Sequence, residues 1–461
     1  MIEIKEDLME SIVHQALEKA NRKDQTQLLS ITKKINKIDP IQFFEAAKKT
    51  NENRTFWTST PDEFYLIGVG NAHEIIATES RFQVTEDEWR HIIDEAIVHN
   101  PYQVAGTGVV ALGGMSFDPL KPTTSLWKNY EPSQFTIPEY TLTIHKDTHY
   151  FTVTKSVQPT DDAEIIATEI KRAETILFTG NKELPTGSKV IAKQEVEPEQ
   201  WINSVKKAIT DIQHHKAEKI VLAREVRVRL DKRAEISVLL KRLIHMQQNS
   251  FVFAFEQGED CFIGATPERL VKVEGNELLS TCLAGTAPRG KTEQEDRDIS
   301  SDLLHDHKNR EEHDYVVKMI RRNIEMYCTH LQIPKAPVIY PLQNLQHLYT
   351  PVTATLKDRY SIFDVVKQLH PTPALGGVPR EESLAFIREH ELLDRGWYGA
   401  PIGWMDSNEN GEFAVAIRSG LIQGDEVSLF AGCGVMKDSD PQAEYEETNI
   451  KLLPMLSVME A

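Results

Sequence analysis

The chain has 461 residues, enough to bury a large core in one large or two medium domains. Its 52 basic and 70 acidic side chains leave a formal charge of −18, which argues against nucleic acid as a partner. An anionic ligand would therefore need a local positive site inside a repelling field. No run approaches the roughly 20 apolar residues needed to cross a bilayer. The acidic opening Met1-Ile-Glu-Ile-Lys-Glu-Asp-Leu lacks the basic and apolar regions of a signal peptide. Four cysteines (Cys261, Cys282, Cys328, Cys433) lie scattered without a CxxC pair, as expected for reduced thiols in a cytoplasm.

In chain order, residues 5 to 55 read as amphipathic helices, an N-terminal helical extension over 1–55 ahead of one catalytic domain over 56–461. Strand signals follow at Phe64-Tyr-Leu-Ile-Gly-Val and Gly108-Val-Val-Ala-Leu112, with a helix near 86–98 between them. Tyr140-Thr-Leu-Thr-Ile and Tyr150-Phe-Thr-Val-Thr alternate as strands do. Residues 161–178 read as helix, and 179–194, with Pro185 and Gly187, as a connecting segment. A helix over 199–215 leads into a strand over 219–228, and further helices are expected near 233–246, 296–331 and 362–369. Strand-rich and helix-rich stretches interleave irregularly, without short-period repeats, which predicts α+β rather than a doubly wound parallel sheet.

The chemistry-bearing residues gather in a few segments. In Glu444-Tyr-Glu-Glu447-Thr-Asn-Ile-Lys451, Glu444, Glu447, Thr448 and Lys451 share one helical face. Two carboxylates and an ammonium there suit a hard divalent cation beside an anionic ligand, or simply a solvated face of ion pairs. A second acidic cluster, Lys308-Asn-Arg310-Glu311-Glu312-His313, lies far upstream. If folding brings Glu312 beside Glu447, sparse carboxylates plus waters make a Mg²⁺ site. Zinc at His305, His307 and His313 is the other metal option, but positions 305 and 307 point to different faces of a helix. Arg418, Lys451, Arg224 and a bound Mg²⁺ are the candidate sources of positive potential. Between the acidic segments, the Pro- and Gly-rich stretch Leu369-His-Pro-Thr-Pro-Ala374-Leu375-Gly-Gly377 is an ordered loop. Phe413-Ala-Val-Ala-Ile417-Arg418-Ser and Ser428-Leu-Phe430-Ala-Gly432-Cys-Gly434-Val pair as strands ending in backbone-exposing turns that suit carboxylates.

With Lys219-Ile-Val-Leu-Ala-Arg224, Gly264-Ala-Thr-Pro-Glu268, Leu283-Ala-Gly285-Thr286 and Arg310-Glu-Glu312-His313 in the same order, the chain resembles the chorismate-utilising enzymes over about residues 200 to 455. It looks most like their isochorismate synthases, the menaquinone type above all. The resemblance implies a chorismate-utilising fold of two extensive packed sheets with helices outside, and an isomerase that adds water to chorismate at C2 and expels the C4 hydroxyl.

By that resemblance Lys219 is the base, its pKa lowered by desolvation and nearby cations. Glu268 is the acid, holding its proton near pH 7. Glu312 and Glu447 hold Mg²⁺, with Glu444 acting through water. Arg418 and Tyr398 take the enolpyruvyl carboxylate with support from Gly432; Gly285 and Thr286 approach the ring carboxylate. Lys451 balances the charge, and Leu375, Ile417 and Phe430 wall out stray water. Lysine at 219, where ammonia-using members carry glutamine, and Ala374, where aminating or pyruvate-eliminating members carry threonine, favour isochorismate as the product. Salicylate synthase is the main rival, an anthranilate or aminodeoxychorismate synthase component is weaker, and a silent binding subunit is disfavoured by the intact set. The resemblance further suggests a monomer or weak homodimer.

Overall fold

The computed structural model describes residues 6–179, 183–342 and 345–461. Residues 1 to 5, read above for a signal peptide, and 180–182 of the expected connecting segment lie outside them. Among the described residues no helix is long and apolar enough to cross a membrane.

Two large sheets carry the chain, one of thirteen strands and one of ten among the described residues. The larger runs from Val190–Glu195 through Lys219–Leu230, Glu426–Val435, Ser419–Gln423, Asp260–Thr266 and Phe251–Gln257 to the N-terminal strands. In the smaller, Leu345–Leu356, Glu277–Pro288, Arg269–Glu274, Gly411–Val415 and Pro401–Asp406 are successive neighbours.

The apolar run Phe251-Val-Phe-Ala-Phe255 is continuous because both faces of its strand are covered. Phe251, Phe253 and Phe255 join a core shared with Val271, Trp404 and Phe413 of the smaller sheet. Val252 and Ala254 point the other way, into a core shared with Leu240, Leu243, Leu456 and Met459 of outer helices. Each fully buried phenylalanine contributes on the order of 2 kcal/mol. Two sheets with helices outside is the α+β arrangement expected.

Three local expectations are corrected. The N-terminal segment is not wholly helical: between the helices Glu6–Lys23 and Pro40–Ala46, Gln27–Ile35 is a strand of the larger sheet, paired with Thr148–Val157 and Ile97–His99. Its alternating Leu29 and Ile31 are buried, a period-2 signal that neighbouring lysines obscured. The expected connecting segment contains the edge strand Val190–Glu195, mostly exposed and so weakly patterned. The long helix expected over 296–331 is two helices, Glu293–His305 and His307–Ile324, followed by the strand Cys328–Gln332. Asp306 causes the break: extended at φ −65° and ψ 117°, it accepts the Asn309 N–H and caps the second helix.

One topological feature positions the site. The chain passes from the larger sheet to the smaller between Asp260–Thr266 and Arg269–Glu274, and back between Gly411–Val415 and Ser419–Gln423. The two crossings run side by side, because Gly264 pairs with Ser419 on one side and Arg269 with Ala414 on the other. Backbone bonds from Ala265 N to Arg418 O (3.0 Å) and Val415 N to Glu268 O (2.9 Å) stitch the corner. Glu268 and Arg418 therefore both stand where the sheets part. Arg418 adopts φ +52°, a left-handed conformation rare for a non-glycine residue.

A buried ion pair ties the Lys219 strand to the 369–377 loop. Arg395 binds Glu391 through Nε (2.6 Å) and a terminal nitrogen (2.7 Å), with side-chain exposures of 3% and 0%. The same guanidinium donates to the carbonyls of Leu375 (2.9 Å) and Val221 (2.8 Å), and Glu391 accepts the Ala223 N–H at 2.7 Å. Replacing Arg395 with Met strands the Glu391 carboxylate, so a loss of about 3–5 kcal/mol is expected in urea unfolding; an unchanged midpoint would show that the pair tethers nothing.

Candidate active site

Lys219 opens its strand beside Val378 and Gly434. Its side chain passes over Gly434, where a Cβ would lie 2.5 Å from Cε, so a larger residue there would displace the end of the lysine side chain from this path. Nζ donates to Glu312 Oε1 at 2.8 Å. Glu312 reaches it from the helix that Asp306 caps. Burial raises the Glu312 pKa, but Lys219, Lys451 and Lys308 together hold the group below its usual range.

Glu268 has no such partner. Desolvation pushes its pKa up to about 7 despite the opposing pull of Arg418, Lys219 and Lys451. Arg269, its sequence neighbour and the plain structural alternative for its charge, is bound instead to Glu412 and Asp62, each at 2.8 Å.

The C-terminal helix Pro441–Glu460 supplies the second acidic cluster. Asp440 caps it by accepting from the Gln442 and Ala443 N–H groups. Lys451 bridges Glu447 at 2.6 Å and donates to the Gly432 carbonyl at 3.0 Å, binding the helix to the Glu426–Val435 strand. Burial raises the Glu444 pKa; its Oε1 accepts from Ser439 at 2.6 Å, and Oε2 is buried with no nitrogen or oxygen donor in reach, the weak Cys433 thiol being the other donor at this carboxyl.

Thr448 accepts from Arg224 Nε at 2.7 Å, and Asn449 accepts from another nitrogen of that guanidinium at 2.6 Å. With its guanidinium carbon 4.1 Å from the Tyr445 ring centre, Arg224 fastens the helix to the Lys219 strand through neutral partners, and its third nitrogen is buried without a hydrogen bond.

Gly285, at φ +80°, forms a bulge that shifts the register between Ala284 and Thr286. The shift sets Thr286 opposite His347, with Thr286 Oγ1 2.9 Å from His347 Nδ1. Burial, Arg418 and Lys451 push the His347 pKa down to about 3, so the imidazole is neutral, and its Nε2 is buried without a partner. Sequence reasoning missed His347; it is one polar residue in a strand, and only the cross-strand register reveals it.

An apolar side completes the cleft. Tyr398 packs on Phe430 at 5.3 Å, Trp127 stacks on Phe430 at 5.7 Å, and Leu375 and Ile417 are buried. Burial raises the Tyr398 hydroxyl to about 12, keeping it a neutral donor. Ala374 and Thr372 line a small cavity with Glu268, and Thr372 Oγ1 is buried without a partner. Trp127 was also missed, since it lies in no recognisable motif; Thr372 lies in the 369–377 loop singled out above but was not named as a site residue.

The electrostatic influences link the set. Arg418 is acted on by Tyr398, Glu268 and Glu447, while Lys451 reaches Glu268, Glu312, Glu444 and His347. The arrangement offers one amine, one protonated carboxyl, and a cationic pair able to hold a dianion. Zinc does not fit: His313 is buried, with Nδ1 3.0 Å from the Ala284 carbonyl and Nε2 2.7 Å from Thr350 Oγ1, while His305 and His307 bind Ser301 and Glu311. For a harder cation the donor chemistry is suitable, because Glu444 Oε2 is buried without a nitrogen or oxygen donor and Glu312 and Glu447 are held only by flexible lysines. No three His, Cys, Asp or Glu groups among the described residues converge closely enough to hold an ion by themselves. Such sparse ligation suits Mg²⁺, which keeps waters and takes substrate oxygens.

Comparison with known proteins agrees. The profile of the family described as "Chorismate binding enzyme" matches residues 15–460. The chain is similar to "Isochorismate synthase MenF" of Bacillus subtilis (strain 168), at 39% identity covering 96% of both chains. It is also similar to the "Salicylate biosynthesis isochorismate synthase" of Pseudomonas aeruginosa, at 34% identity covering 97% of this chain and 93% of that one. In fold it matches the menaquinone-specific isochorismate synthase MenF of Escherichia coli, with a TM-score of 0.80 and 21% identity over 97% of this chain and 99% of that one. A corner of paired crossings carrying a protonated carboxyl, with an amine and a cationic cluster around it, thus comes with a match over nearly the whole chain: the protein belongs to the chorismate-binding enzyme family.

Proposed function

We propose that the protein is an isochorismate synthase, interconverting chorismate and isochorismate by adding water at C2 and expelling the C4 hydroxyl. The observation that carries this reading is the contrast between Glu268, desolvated and protonated up to about pH 7, and Lys219, an amine within its electrostatic reach. Similarity to isochorismate synthases over nearly the full chain supports it.

In the forward reaction Lys219 releases Glu312 and gives its extra proton to solvent, and the neutral amine then takes a proton from a water molecule as that oxygen bonds to C2. The ring double bonds shift, and the C4 hydroxyl leaves with the proton of Glu268. One water enters and one departs. Arg418 and Tyr398 hold the enolpyruvyl carboxylate, the guanidinium by a planar two-point contact. The bulge at Gly285 and Thr286 receives the ring carboxylate, with neutral His347 fixing the Thr286 hydroxyl. Glu312 and Glu447, with Glu444 acting through water, would hold Mg²⁺, which when bound would neutralise the ring carboxylate and fix the ring. Ala374, Leu375, Ile417 and Phe430 keep stray water from the reacting carbons.

The product is read as feeding menaquinone biosynthesis, supported by the match to MenF over nearly all of both chains. Four buried free cysteines support work in a reducing cytoplasm, and a monomer or weak homodimer is the assembly proposed.

Incubating purified protein with chorismate and Mg²⁺, with and without ammonium, should give isochorismate alone by NMR; salicylate with pyruvate, or an aminated ring, would replace this reading. The Lys219→Ala variant should lose at least about 100-fold in kcat while still binding chorismate. Gly434→Ala, which drives a methyl into the Lys219 stem, should lower kcat about tenfold with the fold intact by circular dichroism; a fully active variant would remove Lys219 from the chemistry. Because Glu268 acts in its protonated form, forward kcat/KM should fall as pH rises through about 7, and Glu268→Gln should abolish turnover at every pH. A rate still climbing well above pH 7 would rule Glu268 out as the acid.

A further inference from the structure

The turn between the strand Glu426–Val435 and the helix Pro441–Glu460 carries a hydroxyl that the chemistry above does not use. Ser439 Oγ accepts the Met436 N–H at 2.9 Å and donates to Glu444 Oε1 at 2.6 Å. The Ser439 N–H donates in turn to the Met436 carbonyl at 3.1 Å, so the two residues close the turn on each other. A hydroxyl has one proton to give. With the Met436 N–H directed at its oxygen, the Ser439 proton is free to go to the carboxylate.

The backbone of Glu444 is fixed as well. Its N–H donates to the Asp440 carbonyl at 3.0 Å, one turn into a helix whose first free N–H groups Asp440 already satisfies. The cap holds the main chain and Ser439 holds Oε1, which narrows the positions open to Oε2. That oxygen is buried with no nitrogen or oxygen donor in reach, and the one further protein donor at the carboxyl is the Cys433 thiol, a weak one. A buried carboxylate oxygen without a strong donor is costly unless something outside the protein faces it.

We propose that Ser439 is a positioning residue for the divalent cation, holding Glu444 Oε1 so that Oε2 points at the cation that Glu312 and Glu447 also serve. The inference rests on the reading of those three glutamates as the Mg²⁺ holders. It adds that the turn before the helix, and not the helix alone, sets the affinity. Outer groups that orient ligating carboxylates typically change metal affinity by 10–100-fold.

Manganese(II), a paramagnetic probe of magnesium sites, allows a test without substrate. Free Mn²⁺ is counted by electron paramagnetic resonance in titrations of the parent protein, Ser439→Ala, Ser439→Thr and Glu444→Gln. Ser439→Ala should bind Mn²⁺ about tenfold more weakly with a nearly unchanged melting temperature, and Ser439→Thr, which keeps the hydroxyl, should restore most of the loss. In turnover assays, the Mg²⁺ concentration giving half-maximal rate should rise for Ser439→Ala by a larger factor than kcat falls. Parent-like Mn²⁺ affinity in Ser439→Ala, or equal weakening in the Ala and Thr variants, would make Ser439 a turn-shaping residue and overturn the proposal. If Glu444→Gln binds as the parent does, Glu444 serves no cation and the proposal falls while Glu312 and Glu447 stand. A parent that binds no Mn²⁺ overturns the metal reading and this inference together.

Discussion

Two hydrogen-bonded chain segments cross from one sheet to the other side by side, and the rest of the site depends on that corner. A single strand changing sheets would leave its backbone groups exposed as the sheets diverge. Here the 264–269 crossing satisfies those groups on the 414–419 crossing, through the bonds to Arg418 and Glu268 carbonyls. Ala265, Ala416 and Ile417 of the crossings pack into the cores, while Glu268 and Arg418 take part in neither core cluster. Glu268 can therefore be desolvated without being filled in by a partner, and Arg418 can project where no strand covers it. Gly264 permits the approach, since a Cβ there would lie 2.7 Å from Phe253 and Ser419 and 2.8 Å from the Arg418 carbonyl.

Around the corner the charges are arranged so that each catalytic group has a different kind of neighbour. Lys219 and Lys451 each hold a glutamate by a short ion pair, whereas Glu268 is surrounded by cations none of which bonds to it directly. Desolvation wins over their attraction at Glu268, and the attraction wins over desolvation at Glu312. The two carboxyls are thereby pushed in opposite directions, Glu268 up to about 7 and Glu312 below its usual range, the separation that acid–base chemistry on a dianionic substrate requires.

Much of the machinery is held by residues that touch no substrate in this scheme. The Glu391–Arg395 pair ties the Lys219 strand to the loop of Ala374 and Leu375, and Arg224 bolts the C-terminal helix to the same strand. Asp306 breaks what would be one long helix and starts a new one whose second turn presents Glu312. The catalytic amine, the apolar wall and both acidic clusters are thus referred to one strand, so their spacing does not rely on loop rigidity alone.

What the sequence determined by itself was local. The alternation in 140–154, the amphipathic periodicity of the helices, the Pro-rich loop and the i,i+3/i+4 grouping of Glu444, Glu447 and Lys451 are all short-range, and each is present in the fold. Its ordered motifs were enough to suggest the family. Where the local pattern was diluted, by lysines in Gln27–Ile35 or by exposure in Val190–Glu195, the reading failed. Tertiary structure alone decided which charges meet. Lys219 and Glu312 are 93 positions apart, Thr286 and His347 are 61, and Arg224 and Thr448 are 224. Those pairings follow from sheet register, a one-residue bulge and the double crossing, and none of these leaves a periodic trace in the chain. Side-chain chemistry was written in the residues; the desolvation that makes one glutamate an acid and its neighbour an anion arises only once the two sheets pack.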